Sequence, residues 1–132
     1  MRRSFSLVLA VLVGSIASAQ EPDSSRVGIH QLESEWHRWD DVRTDTAVPA
    51  FERGRQLAIE GRLAEAELEF RKGLTRRRAV AEFNLGLLDH AQRTYWSAYK
   101  HFRTAYRMKR DPMFRDYLRK ARRLAGLQRQ AP

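Results

Sequence analysis

The chain of 132 residues contains no cysteine. This absence excludes disulfides, thiolate metal sites, iron–sulfur clusters, covalently attached c-type haem and a cysteine nucleophile. Only four prolines and seven glycines are present, so collagen-like and proline-rich disordered chains are excluded as well. With 42% hydrophobic residues, the composition is that of one small domain with a packed core.

Acidic residues are scarce in the second half of the chain. Residues 20–70 carry six basic and twelve acidic side chains, whereas residues 71–132 carry seventeen basic and four acidic ones. Arginine outnumbers lysine 21 to 4. GC-rich codon usage can explain that ratio, but it does not explain why the charges separate between the halves. The basic half indicates an acidic partner or an anionic surface.

The N-terminus has the three parts of a secretory signal peptide. Arg2 and Arg3 provide a positive start, residues 5–16 are almost continuously apolar, and Ala17-Ser18-Ala19 matches a cleavage pattern. Residues 1–19 are therefore predicted to be a signal peptide cleaved near Ala19, so that the mature chain is periplasmic or secreted. An uncleaved N-terminal anchor is the alternative. Export argues against a nucleic-acid partner and for a partner in the bacterial cell envelope.

An internal repeat of thirty-two residues occupies the middle of the chain. When residues 47–78 are aligned on 79–110, eight positions are identical, and most carry aromatic or small side chains. These identities are Ala47/Ala79, Val48/Val80, Phe51/Phe83, Gly54/Gly86, Ala66/Ala98, Phe70/Phe102, Arg71/Arg103 and Arg78/Arg110. Each unit is predicted to form two helices, in which the glycine of the first faces the alanine of the second and the phenylalanine packs one turn further along. The predicted packing residues are Gly54, Ala66, Phe70, Gly86, Ala98 and Phe102.

A family pattern is present in the second unit, at Phe83-Asn84-Leu85-Gly86, Tyr95, Ala98, Phe102 and Ala105. This pattern resembles the tetratricopeptide repeat, and the glycine and alanine stand twelve residues apart in both units. Gly61 matches the family's usual glycine between the helices. Arg93 replaces that glycine in the second unit, so the second turn must be made differently or with strain. The resemblance covers residues 47–110 and implies an all-α fold, a short α-solenoid of two helical hairpins; a generic pair of helical hairpins is the alternative.

Helices are also predicted on both sides of the repeats. Asp111 and Pro112 suit the N-cap and the first position of a helix, and a capping helix is predicted over 111–127. Residues 27–46 are predicted to form an N-terminal helix and its connection to the first unit. Residues 20–26 and 128–132 are predicted to be disordered tails.

No motif for catalysis, cofactor binding or metal binding is found. His30 and His37 lie seven residues apart and lack a third ligand. His90 and His101 have no carboxylate motif near them. We therefore expect neither enzyme activity nor a cofactor nor a metal. Tyr95 is predicted to be a packing residue, whereas Trp96 is predicted to be exposed and to rim a partner site.

Two surfaces are candidate binding sites. The resemblance implies that the first helix of each unit lines a concave groove for a partner peptide or helix, at Val48, Phe51, Arg55, Ile59, Val80, Phe83, Asn84, Leu87 and His90. Within this groove only Asn84 and Arg55 fit the family's clamp for a C-terminal carboxylate. The C-terminal helix offers a basic surface, at Arg115, Arg119, Arg122 and Arg123.

Two functions follow from these surfaces. The groove predicts a non-catalytic scaffold or adaptor that binds another envelope protein of acidic character. The alternative is peripheral binding to anionic membrane lipid or an envelope polyanion through the basic helix. A solvated helix face remains the simplest explanation of the arginines, and the oligomeric state is left open.

Overall fold

The computed structural model describes residues 39–46 and 48–130. Their regular structure is helical: α1 Pro49–Ile59, α2 Leu63–Arg71, α3 Arg78–Ala91, α4 Tyr95–Met108 and α5 Pro112–Gln130. Short 3-10 turns cover Trp39–Asp41 and Lys72–Leu74. The predicted all-α class is confirmed for these residues, which contain no strand longer than an isolated bridge. The predicted signal peptide, the tail at 20–26 and most of the predicted N-terminal helix lie outside the described residues.

Each helix packs against the helix that follows it in the chain. α3 is the central element, because it contacts α2, α4 and, through Phe83, α5, and it buries side chains on several sides, among them Leu85 and Leu88. Such all-round burial matches its apolar sequence. The core is therefore continuous from α1 to α5.

The last helix runs antiparallel to α4 and is longer than predicted. Its first turn is capped by Asp111, whose Oδ1 accepts a hydrogen bond of 2.8 Å from the N–H of Met113, as the sequence indicates. Its last turn reaches Gln130, so the predicted tail at 128–132 is wrong for residues 128–130. Gln128 donates a hydrogen bond of 3.0 Å to the carbonyl of Arg93, and this contact holds the end of α5 against the start of α4.

The two units share their helix boundaries in register. α1 and α3 end at Ile59 and Ala91, and α2 and α4 begin at Leu63 and Tyr95, so both pairs are thirty-two residues apart. The turns between them are closed by the same two backbone hydrogen bonds. The N–H groups of residues 61 and 93 donate to the carbonyls three residues earlier, and the N–H groups of residues 62 and 94 donate to the carbonyls five residues earlier. This is the pattern of a Schellman helix end.

The close contact within each unit joins the glycine to the phenylalanine. A Cβ added to Gly54 would lie 2.5 Å from the ring of Phe70, and one added to Gly86 would lie 2.5 Å from the ring of Phe102. The phenylalanine ring, rather than the predicted facing alanine, is therefore the group nearest to each glycine, and Ala66 is fully buried, as is its equivalent in the second unit. Helical side chains point toward the N-terminus of their helix, so the phenylalanine ring covers the level at which the alanine was expected.

Candidate interaction surface

The predicted concave groove is mostly closed. Six of its nine residues are buried, and they are Val48, Phe51, Phe83, Asn84, Leu87 and His90. Arg55 and Val80 are half-buried, and Ile59 is exposed. The prediction that these side chains line an open groove is therefore wrong for the six buried residues.

The C-terminal helix fills the groove at the second unit. The ring of Phe83 stacks on that of Phe114 with 4.5 Å between centroids, and it meets Tyr117 edge-on at 5.3 Å. Tyr117 also contacts Phe102 at 5.4 Å. These contacts place α5 across the face that a partner helix was predicted to occupy.

Residues 42–46 and Val48 of the same chain cover another part of this face. The side-chain amide of Asn84 accepts a hydrogen bond from the N–H of Arg43 and donates one to its carbonyl, both at 3.1 Å. Asn84 is fully buried, and the two bonds satisfy groups that would be costly to bury alone. At this position the chain binds its own backbone.

Acidic side chains of residues 39–46 bond to two helices and to the residue that precedes a third. Arg55 of α1 donates to the carbonyl of Trp39 at 3.1 Å and to Asp40 at 2.9 Å. The hydroxyl of Tyr117 in α5 donates to Asp41, and α3 is approached by Asp45, which forms an ion pair at 2.9 Å with Arg77 just before that helix. Both candidates for a carboxylate clamp, Asn84 and Arg55, are thus engaged within the chain.

His101 lies between two carboxylates, contrary to the prediction that none is near it. Its Nδ1 is 2.6 Å from Glu82, and its Nε2 is 3.4 Å from Asp89. Sequence inspection missed this cluster because the carboxylates lie on α3 and the histidine on α4. Ser97 donates its hydroxyl hydrogen to Asp89 at 2.6 Å rather than to the imidazole, so the cluster lacks the contact between nucleophile and base that nucleophilic catalysis uses. Within the described residues, no group of three or more histidines and carboxylates could hold a metal ion.

The charges of α1 and α2 are neutralised within these helices and their neighbours. Residues 49–72 carry five basic and five acidic side chains, and every one of the ten takes part in an ion pair. Glu69 accepts hydrogen bonds from Lys72 at 2.7 Å and from Arg53 at 3.2 Å. The bond from Lys72 is the main cause that lowers the pKa of the Glu69 carboxyl.

The charges of α4 and α5 are different. Residues 95–130 carry eleven basic side chains against two aspartates and no glutamate. Nine of these basic side chains are exposed and have no acidic partner among the described residues, and seven of the nine also make no cation–π contact there. We call these seven the basic surface, and they are Lys100, Arg103, Arg107, Lys109, Arg119, Arg122 and Arg123.

Three of the four predicted basic residues belong to this surface. Arg119, Arg122 and Arg123 are exposed on α5 and line a hollow of about 380 Å³. Arg115 is half-buried and forms an ion pair with Asp116 at 3.3 Å. The sequence prediction did not include the basic residues of α4, because it assigned that helix to the repeat packing. Their charge could have been recognised from the absence of any acidic residue from 95 to 110.

None of the helices in the described ranges combines the length and the apolar composition needed to span a bilayer. Comparison of the chain with protein-family models, with curated proteins and with solved structures gives no match.

Proposed function

We propose that this chain is a non-catalytic interaction module of the bacterial cell envelope, built from two tetratricopeptide-like helical hairpins, and that it docks on an acidic partner through the basic surface of α4 and α5. The carrying observation is the contrast in ion pairing between the two ends of the molecule. All cations of residues 49–72 have acidic partners, whereas nine exposed cations of residues 95–130, including the seven of the basic surface, have none among the described residues.

Arginine-rich codon usage alone does not account for this contrast. Codon usage would add arginine to both ends of the chain, and residues 49–72 do contain four arginines. There each arginine is accompanied by glutamate, while between Lys100 and Lys109 no acidic residue occurs. A surface with one sign of charge attracts partners of the opposite sign and raises the rate of their encounter.

A second copy of the chain is not favoured as the partner. The acidic end would have to offer carboxylates, but the five glutamates of residues 49–72 are already paired with arginine or lysine. Head-to-tail association would break these pairs, so each carboxylate that paired with the second copy would leave a cation of its own chain unpaired. The pairing of these five glutamates therefore favours a different molecule as the partner.

Docking in the concave groove is also not favoured. A partner there would have to displace the bonds between Asn84 and Arg43 and the stacking of Phe83 on Phe114. Asn84, Phe83 and Phe114 are buried, so loss of these contacts would destabilise the fold.

The proposal is tested by binding of labelled polyglutamate to the chain at low salt. The variant Arg119→Glu/Arg122→Glu/Arg123→Glu should keep the helical content of the parent and lose most of the binding. The matched control Arg53→Glu/Arg62→Glu/Arg71→Glu changes the net charge by the same amount on α1 and α2, and it should retain more binding. Equal loss in both variants would show that net charge alone governs binding, and the proposed surface would then be wrong.

A further inference from the structure

One face of α4 carries a run of aromatic and basic side chains. Helical spacing brings five of them onto one face of the helix, and Arg110, just beyond the end of α4, contacts the ring of Tyr106 on that face. We call this the aromatic–basic stripe, and it consists of Trp96, Tyr99, Arg103, Tyr106, Arg107 and Arg110. It overlaps the basic surface but adds three aromatic rings that the proposed function does not require.

The first turns of the stripe expose an aromatic pair. Trp96 is 47% exposed, in agreement with the sequence prediction, while its neighbour Tyr95 is buried in the core. The rings of Trp96 and Tyr99 stack with centroids 5.1 Å apart and an angle of 22° between their planes. Tyr99 and Tyr106 are half-buried and pack on the core, so the pair has a rigid base and an exposed apolar edge.

Guanidinium groups lie against two of these rings. That of Arg129, from the end of α5, is 4.6 Å from the centre of the Trp96 ring, and that of Arg110 is 4.7 Å from the centre of the Tyr106 ring. Both distances are typical of cation–π contacts. The stripe thus places positive charge directly beside aromatic surface at both ends of α4.

This arrangement disfavours a nucleic acid as the partner. Proteins that bind single strands offer open aromatic faces on which successive bases stack. Here the Trp96 ring is already in contact with Tyr99 and Arg129, and the Tyr106 ring with Arg110. A base would have to displace these groups before it could stack.

The same arrangement suits the interface of an anionic bilayer. Trp and Tyr concentrate at the level of the lipid headgroups, where one end of each ring is apolar and the other is hydrated. Arginine binds phosphate oxygens through its planar fork of donors. An acidic protein would use the charges but would not require an exposed indole edge within a row of arginines.

We propose that the aromatic–basic stripe of α4 rests on the surface of an anionic phospholipid bilayer. Arg103 and Arg107 contact the lipid phosphates, and the edge of Trp96 inserts at the headgroup level. The chain lies on the bilayer through one helix face. This inference rests on the proposed function, because it names the partner of the same basic surface.

The test measures binding of the full chain to vesicles made of equal parts phosphatidylglycerol and phosphatidylcholine, with pure phosphatidylcholine vesicles as the uncharged reference. Arg103→Glu/Arg107→Glu should weaken binding to the anionic vesicles by roughly thirtyfold or more, since each basic residue near the surface contributes about fivefold. Trp96→Ala should weaken vesicle binding but leave polyglutamate binding unchanged. Lipids brominated on their acyl chains should quench the tryptophan fluorescence of the parent chain. This quenching should disappear in Trp96→Phe but persist in the control Trp39→Phe.

Each other outcome overturns the inference in a distinct way. Binding to polyglutamate without binding to anionic vesicles would assign the basic surface to an acidic protein, and the proposed function would survive. Tighter binding to a single-stranded oligonucleotide, lost in Trp96→Ala, would assign the stripe to nucleic acid. Binding to none of these probes would contradict both the inference and the proposed function.

Discussion

Gly61 and Arg93 stand thirty-two residues apart and adopt the same left-handed backbone conformation, with φ of 81° and 61°. Glycine adopts this region without a steric cost, whereas an arginine Cβ crowds the following carbonyl. Hydrogen bonding at the helix end is the same in both turns. The second turn therefore has the same geometry as the first, and the backbone at Arg93 is strained because arginine replaces glycine there.

Glycine at position 93 and a side chain at position 61 should change the free energy of unfolding in opposite directions. Arg93→Gly should raise the free energy of unfolding by about 1 kcal/mol, and Gly61→Ala should lower it by about the same amount. Nothing lies within 4 Å of a Cβ built on Gly61, so its cost is conformational alone. Urea unfolding of both variants checks this prediction, and a destabilised Arg93→Gly would show that the arginine side chain outweighs the strain.

The two helix-interior glycines should not tolerate a methyl group. Gly54→Ala and Gly86→Ala would each place a Cβ 2.5 Å from a buried phenylalanine ring, and overpacking of this kind costs about 1–3 kcal/mol. Gly126→Ala is the matched control, because no atom lies within 4 Å of its added Cβ. That variant should gain up to about 1 kcal/mol from helix propensity. Thermal melts in which all three variants shift in the same direction would contradict the observed packing.

Removal of the Asn84 amide should release the segment that covers the groove. Asn84→Ala leaves the N–H and carbonyl of Arg43 without their side-chain partner, at a cost of about 1–3 kcal/mol. Tyr117→Phe removes one hydrogen bond to Asp41 in the same region and should cost less. Hydrogen exchange at the Arg43 amide should accelerate in Asn84→Ala and much less in Tyr117→Phe. Unchanged exchange at Arg43 in Asn84→Ala would contradict the role of this amide.

The ion pairs of Glu69 predict a pH dependence of stability. Because Lys72 and Arg53 lower the pKa of Glu69 in the folded state, the stabilisation is present above the ordinary value of 4.5 and is lost as the pH falls through the lowered value. Glu69→Gln should therefore cost up to about 1 kcal/mol at neutral pH and nothing at strongly acidic pH. Glu52→Gln should cost less at neutral pH, since Glu52 is 63% exposed and lies 3.9 Å from Arg55. Equal costs for Glu69→Gln at both pH values would contradict the prediction.

Local features of the fold could be predicted from the sequence because they depend on neighbouring residues. Helix periodicity indicated the two helices of each unit, and the Asp111-Pro112 pair predicted the start of α5, where the capping bond to Met113 is found. The exposure of Trp96 and the burial of Tyr95 followed from their positions on one helix.

The closed groove could not be predicted, because it depends on contacts between distant parts of the chain. Asn84 meets Arg43 across forty-one residues, and Phe83 meets Phe114 on a helix outside the repeats. Equivalent positions also have different neighbours. A Cβ added to Gly73 would contact the ring of Phe51, while the corresponding Phe83 packs against α5. Identity between repeat units therefore indicates the packing within a unit but not what covers its outer faces.

The salt dependence of polyglutamate binding tests the central claim most directly. If the basic surface of α4 and α5 is the docking site, the affinity should fall steeply as the salt concentration rises, because exposed charges are screened. This salt dependence should be weaker in Arg119→Glu/Arg122→Glu/Arg123→Glu. The variant Ile59→Asp alters the one exposed residue of the predicted groove, and it should show the same salt dependence as the parent. Binding that does not change with salt, and that Ile59→Asp abolishes, would contradict the account and restore the groove as the binding site.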